Sequence, residues 1–189
     1  LPMSTIAQNW QIEQVDSADC PFDCSIAIDT LNYPHIAYSY RHPIGGHPYT
    51  YWVKYARWNG ITWEFQPVET VTTTGVPIYA VSKLYLDNQN HPHIGYSKDS
   101  LGHSKLRYAY CDDNSWQIST IISSSNSLSV GGMSMMMCDD SIPYISFYLV
   151  NYLDSTAGIR YAYKSGDSWI IQMVWETRMV QNNPYLSTT

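Results

Sequence analysis

The sequence predicts an all-β fold, a β-propeller built from four-stranded antiparallel blades, and three observations carry that prediction. Trp10, Trp63, Trp116 and Trp169 stand 53 residues apart. Eight residues before each of the last three lies a tyrosine, Tyr55, Tyr108 and Tyr161, in the settings Val53-Lys54-Tyr55-Ala56, Leu106-Arg107-Tyr108-Ala109 and Ile159-Arg160-Tyr161-Ala162. A third signature precedes these: Pro34-His35-Ile36-Ala37-Tyr38, Pro92-His93-Ile94-Gly95-Tyr96 and Pro143-Tyr144-Ile145-Ser146-Phe147. Self-similarity at a period of 20–50 residues marks repeat architectures, and four short strands per period fit a propeller blade. A β-solenoid needs shorter coils, and tandem immunoglobulin-like domains need about 100 residues each.

Each period divides into four runs rich in β-branched and aromatic residues, separated by Gly, Pro, Asn, Asp and Ser. Strand a is expected near 25–29, 81–87 and 133–138; strand b near 35–40, 93–97 and 144–149. Strand c falls near 52–58, 105–111 and 158–164, and strand d near 62–68, 115–121 and 168–174. The blades are therefore 25–68, 81–121 and 133–174 of a single segment spanning 1–189. Blade sheets are covered on both faces, so Ser25-Ile26-Ala27-Ile28 and Met133-Ser134-Met135-Met136-Met137 read as inner strands, the methionines filling gaps between sheets. The invariant c–d spacing makes that hairpin a fixed part, with each indole expected between neighbouring blades.

Composition sets the outer limits. The 189 residues, 44% of them apolar, suffice for one domain with a real core. A formal charge of −6 leaves no basic surplus for phosphate, which argues against nucleic acid as a partner. No apolar run reaches the roughly 18 residues of a membrane-spanning helix. Seventeen Tyr and seven Trp against three Phe suit β-structure with partly wet surfaces. Of the four cysteines, Cys20 and Cys24 are placed to staple a loop if the protein is exported; none forms a CxxC zinc pattern.

The combination Ser-Ile-Ala-Ile-Asp, Pro-His-Ile-Ala-Tyr, Lys/Arg-Tyr-Ala and Asn-Gly-x-x-Trp resembles the sialidase-like (BNR-type) repeats of bacterial and archaeal surface and secreted proteins, over residues 10–175. The resemblance implies an extracellular or cell-surface setting, in a group that includes glycosidases and carbohydrate-binding modules. Departures limit it. Of the Asp-box Ser-x-Asp-x-Gly-x-x-Trp, only Gly60 and Gly166 remain. Lys54, Arg107 and Arg160 recur at one repeat position, which points to ion pairs between blades rather than to a catalytic arginine triad.

Beyond the three blades, residues 10–16 read as a d strand and 184–189 as the beginning of another a strand, half a blade in all. Open sheet faces and edges invite pairing, so further blades from the same protein or another chain are expected partners. In each blade the b–c and d–a connections emerge on one end and the a–b and c–d turns on the other. The first set is longer and more varied, at 40–51, 98–104 and 149–157 for b–c and 16–24, 69–80 and 122–132 for d–a. Function tends to sit on variable loops of a rigid scaffold. That end carries the candidate ligand residues Arg41, His42, His47, Tyr49, Tyr51, Lys98, Asp99, His103, Tyr152 and Asp154. Aromatic faces with amides and charges suit a sugar ring, and equally a protein partner.

Chemistry-bearing patterns are sparse. His35 and His93 share a repeat position and read as structural; His42 and His47 flank Ile44-Gly45-Gly46 and are placed to share a ligand. There is no phosphate cradle, nucleophile elbow or HExxH, so neither cofactor nor metal is expected. A glycosidase needs two carboxyls about 5–10 Å apart, for which Glu69, Asp99 and Asp154 are the candidates on the variable end. The reading that follows is a non-catalytic module binding glycan or protein through its long-loop end, against two alternatives: a sialidase-like hydrolase or lyase fragment, and a purely structural assembly subunit.

Overall fold

The computed structural model describes residues 11–17, 20–42, 49–73, 78–100, 103–112, 115–125, 127–138 and 142–179. Twelve strands form three antiparallel four-stranded sheets in strict chain order. Sheet I holds β1 (Cys20–Ile28), β2 (Pro34–His42), β3 (Tyr49–Trp58) and β4 (Trp63–Thr73). Sheet II holds β5 (Ile78–Leu86), β6 (Pro92–Ser100), β7 (His103–Asp112) and β8 (Ser115–Ser123). Sheet III holds β9 (Leu128–Cys138), β10 (Ile142–Asn151), β11 (Thr156–Ser165) and β12 (Ser168–Arg178). Contacts between sheets concentrate on β1, β5 and β9, the first strand of each. No helix among the described residues is long and apolar enough to cross a membrane.

The four strands expected in each of the three repeats are present, but most run further than expected toward the b–c and d–a end. The ladder continues from Tyr96↔Arg107 through Asp99↔Ser104 to Ser100↔His103, so the expected loop 98–104 is largely hairpin. Likewise Arg41 pairs with Tyr51 and His42 with Thr50 inside the expected loop 40–51. Ladder bonds are made by the backbone and do not require apolar side chains at the solvent end of a hairpin. Polar residues at such an end therefore carry no sequence mark of a strand.

Each d strand carries a bulge at the same place, inserting Val68 opposite Val53/Lys54, Ile121 opposite Leu106/Arg107 and Val174 opposite Ile159/Arg160. The bulge turns an extra side chain toward the next sheet. Val68 and Ile121 are 6% exposed, whereas Val174 is 62% exposed, since among the described residues no sheet covers that face of sheet III. Two apolar clusters fill the seams. One joins Val53, Tyr55 and Val68 to Leu84, Ile94 and Tyr96; the other joins Leu106, Tyr108 and Ile121 to Met135, Ile145 and Phe147. Met133 and Met135 close over Gly95, where an added Cβ would stand 3.3 Å from the Met135 sulfur.

Among the described residues only the middle sheet is covered on both faces, which corrects the expectation for the inner strands. Ile26 and Ile28 on the outer face of sheet I are 60% and 55% exposed, and Met136 on sheet III is 62% exposed. Two further expectations change. Residues 11–17 form no strand, although they lie against sheet I; Trp10 and 184–189 are outside the described residues. Cys20 and Cys24 lie along one strand, β1, and the Cys24 thiol is free. Four residues of strand span about 13 Å, beyond the roughly 7 Å that a disulfide bridges.

Candidate functional site

The seams are built from repeated parts. Trp116 Nε1 donates to Gln66 Oε1 at 3.1 Å and Trp169 Nε1 to Ser119 Oγ at 3.0 Å, in each case the side chain three residues after the preceding indole. Trp63 Nε1 donates to Glu13 Oε1 at 3.1 Å, so residues 11–17 occupy the corresponding place before sheet I. Trp116 meets the Tyr55 ring edge-on at 5.5 Å, and Trp169 meets Tyr108 at 5.4 Å. The phenols continue inward: the Tyr55 hydroxyl bonds His35 Nδ1, and the Tyr108 hydroxyl lies 2.5 Å from His93 Nδ1. Among the described residues no indole meets Tyr161 in this way, and its hydroxyl bonds Gln172 of its own sheet.

Burial pushes the His35 and His93 pKa values down, and the carboxylates of Asp29 and Asp87 only partly offset this, so both rings are neutral at pH 7. Those carboxylates serve the a–b turns. Asp29 Oδ1 accepts the Leu31 and Tyr33 backbone N–H groups at 2.8 Å each, and Asp87 Oδ1 accepts those of Gln89 and His91 at 2.9 and 2.8 Å. The turn places Asn32 and Asn90 in the left-handed region at φ 65° and 64°, which asparagine tolerates better than most residues. Burial would raise the Asp29 and Asp87 pKa values, but these hydrogen bonds hold both below the usual carboxylate range.

Side by side, the turns of sheets I and II enclose an open cleft of about 500 Å³. Tyr33, Arg57, Trp58 and Asn59 of sheet I line one wall, and Gln89, Asn90 and His91 of sheet II the other. The turns are tied by Thr30 N to Asn90 Oδ1 at 3.2 Å and Asn90 Nδ2 to Thr30 Oγ1 at 2.9 Å. Gln66 and Tyr55, already engaged by Trp116 and His35, line the cleft between these walls. At the rim, Glu64 accepts Arg57 Nε and Asn59 Nδ2, both at 2.7 Å, and these bonds lower its pKa. Arg57 thus lines the cleft with its Nε committed to Glu64. Gly60, at φ 95°, allows the c–d turn to pass under Tyr33, whose hydroxyl would stand 2.7 Å from an added Cβ.

This cleft lies at the a–b and c–d end, opposite the end expected from loop length. Of the expected ligand residues, Arg41, His42, Tyr49, Tyr51, Lys98, Asp99 and His103 are strand residues rather than loop residues. Tyr51 is 1% exposed, in the core of the first seam. Lys98 is committed to Glu69 at 2.9 Å. Tyr152 and Asp154 do sit on a turn, Tyr152 59% exposed and Asp154 accepting from Asn151 Nδ2 at 2.6 Å. His47 is outside the described residues, so the His42–His47 pairing is too. These residues belong to three different sheets, and none of them lines the cleft.

The three recurring cations are separated, each with its own carboxylate. Lys54 Nζ is 3.1 Å from Asp16 Oδ2, which also accepts from the Tyr38 hydroxyl. Arg107 Nη2 is 3.4 Å from Glu69 Oε1, beside Tyr96 at 2.7 Å from Oε2. Arg160 pairs with Glu176 inside sheet III. Burial would raise the Glu69 pKa, but Tyr96, Lys98 and Arg107 outweigh it and keep the carboxylate ionised, unlike a general acid. Among the described residues no three His, Cys, Asp or Glu side chains converge as a metal site.

Sequence reasoning missed the cleft residues Tyr33, Arg57, Trp58, Asn59, Gln66 and Asn90. One signal pointed to Gln66: Glu13, Gln66, Ser119 and Gln172, three residues after each Trp, all carry an acceptor oxygen.

No family model and no curated protein matches the chain. Among solved structures, it is similar to a fucose lectin from Kordia zhangzhouensis in complex with methyl-fucoside, with a TM-score of 0.47 and 12% sequence identity, over 79% of this chain and 96% of the lectin chain.

Proposed function

We propose that the three sheets are consecutive blades of a β-propeller, and that the cleft between the first two is a non-catalytic site for a glycan. The fan of sheets meeting along β1, β5 and β9 supports the first part. The second rests on one observation: the cleft sets the aromatic groups Tyr33, Trp58 and His91 beside the amides of Asn59, Gln89 and Asn90 and the guanidinium of Arg57. Flat apolar faces cover the C–H side of a pyranose, while forked donors and acceptors bond its hydroxyls. The lining carboxylate Asp29 is occupied by two backbone donors and His35, which favours binding over acid–base chemistry. An extracellular or surface setting, and kinship with BNR-type repeats, belong to the same proposal.

A glycan array followed by calorimetry on the best ligand tests it. Trp58→Ala is expected to weaken binding at least about tenfold, the scale of one lost aromatic contact, with little change in melting temperature. Tyr152→Ala, at the opposite end, leaves affinity unchanged. Loss of binding in Tyr152→Ala with retention in Trp58→Ala would return the site to the long-loop end, and hydrolysis of a bound glycoside would remove the word non-catalytic.

A further inference from the structure

Two carboxylates and one guanidinium set the electrostatics of the cleft between sheets I and II. Glu64 Oε2 accepts Arg57 Nε and Glu64 Oε1 accepts Asn59 Nδ2, both at 2.7 Å. Asn59 Oδ1 in turn accepts the Ile61 and Thr62 backbone N–H groups at 2.9 Å each, so the c–d turn fixes the amide that fixes the carboxylate. These bonds hold Glu64 below the usual carboxylate range, and Asp29, which lines the cleft, is ionised as well. On the opposite wall His91 Nδ1 stands 3.0 Å from Asp87 Oδ2 and so has a counter-charge of its own. Within the cleft, Asp29 and Glu64 together answer Arg57 alone.

The hairpin does not demand this ion pair. One register holds Arg57↔Glu64 in sheet I, Tyr110↔Gln117 in sheet II and Tyr163↔Ile170 in sheet III. The place of Asn59 falls to Asp112 in sheet II, where Gln117 Nε2 donates to that carboxylate. Three chemically unlike pairs thus serve one backbone geometry. An ion pair whose side chains are 45% and 40% exposed also adds little to stability. What sets the Arg57–Glu64 pair apart is its position, since Arg57 and Asn59 both line the cleft.

We infer that Glu64 makes this cleft selective for uncharged sugars, turning away those that carry a carboxylate, sulfate or phosphate; the inference rests on the glycan reading of the site. A carboxylate that has accepted one donor at each oxygen retains lone pairs for hydroxyl groups, which a neutral ring supplies. An acidic sugar instead meets two like charges, and the cation beside them is already engaged by Glu64.

The test is calorimetric titration of the full chain with matched sugars: the methyl glycoside that binds best on the array, its uronate and its sulfate ester. The parent chain is expected to bind the neutral member at least about tenfold more tightly, with the gap narrowing at high salt. Glu64→Gln, which installs the residue that sheet II carries there, should tighten the acidic members about tenfold and leave the neutral one within about twofold. Arg57→Gln should widen the gap. Acidic members that bind the parent chain as well as the neutral one overturn the inference. So does a gap that Glu64→Gln leaves unchanged, or narrows only by weakening the neutral sugar, because the pair then merely shapes the wall. Absence of binding to every member removes the glycan reading itself, and the inference with it.

Discussion

The two seams of the molecule share a frame and differ in what fills it. Both have an edge-on Trp–Tyr contact, a Tyr–His bond and an apolar bulge residue. In the first seam, Glu69 pairs in register with Val53 and reaches Tyr96, Lys98 and Arg107 of sheet II. In the second, the same register position is Ile122, opposite Leu106, and the Tyr96 position is Phe147. Arg160, deprived of a carboxylate across the seam, turns to Glu176. The difference teaches that seam geometry is set by the aromatic and bulge positions, while the remaining contact tolerates either a buried ion cluster or a hydrocarbon pair. An ion cluster of that kind gains little over well-packed apolar residues, but losing one member leaves buried charge uncompensated.

The sharpest way to break the comparison is therefore Glu69→Ala, which takes the shared carboxylate from Lys98, Arg107 and the Tyr96 hydroxyl. A loss of about 3–5 kcal/mol is expected in denaturant unfolding. The quadruple replacement Glu69→Ile, Tyr96→Phe, Lys98→Leu, Ser123→Glu copies the second seam into the first, with a carboxylate for Arg107 where Glu176 serves Arg160, and should cost clearly less than the single change. Equal losses would mean that the two seams are not interchangeable.

A smaller effect compares the bulge residues. Val68→Ala removes two buried methyl groups, at about 2 kcal/mol. Val174→Ala, at the same place on the uncovered sheet III, is expected to stay within about 0.5 kcal/mol. Similar values from the two, measured by urea unfolding, would contradict the exposure of sheet III.

The smallest effect is shared by both seams. His35 and His93 have pKa values lowered by burial, so below about pH 6.5 the unfolded chain takes up protons that the folded one refuses. Stability is thus full above that pH and falls with acidification. The lowered carboxylates Asp29, Asp87 and Glu69 add a further loss in the same direction below about pH 4. Melting temperature recorded between pH 7.5 and 5 should decline in the parent chain and flatten in His35→Gln/His93→Gln. An unchanged slope in that variant would assign the titration elsewhere.

The period of Trp, Tyr and Pro positions made the twelve strands and their grouping legible, since the indole recurs at the start of each d strand, the phenol within each c strand and the proline at the start of each b strand. Strand ends were less legible. Ser100 and His103 close a hairpin by backbone pairing that side-chain chemistry does not announce. Asp29, Tyr33 and Asn90 were legible as turn residues, but not as walls of a cleft: Thr30 and Asn90 are 60 residues apart in sequence and meet only because two sheets lie side by side. Loop length pointed to the other end because it measures room for variation, whereas this cleft is formed by short turns on adjacent sheets. Residues 11–17 read as a strand because they repeat the d pattern, and they keep its side-chain bonds to the following sheet without its ladder pairing among the described residues.

The indole bond has a consequence for how such a chain changes over generations. Every period supplies a tryptophan to the unit before it and an acceptor to the unit after it, so each period is both plug and socket. Gain or loss of one whole period by unequal recombination leaves an indole facing an acceptor at the new joint. Lineages carrying this unit are thus free to alter the number of units in whole steps.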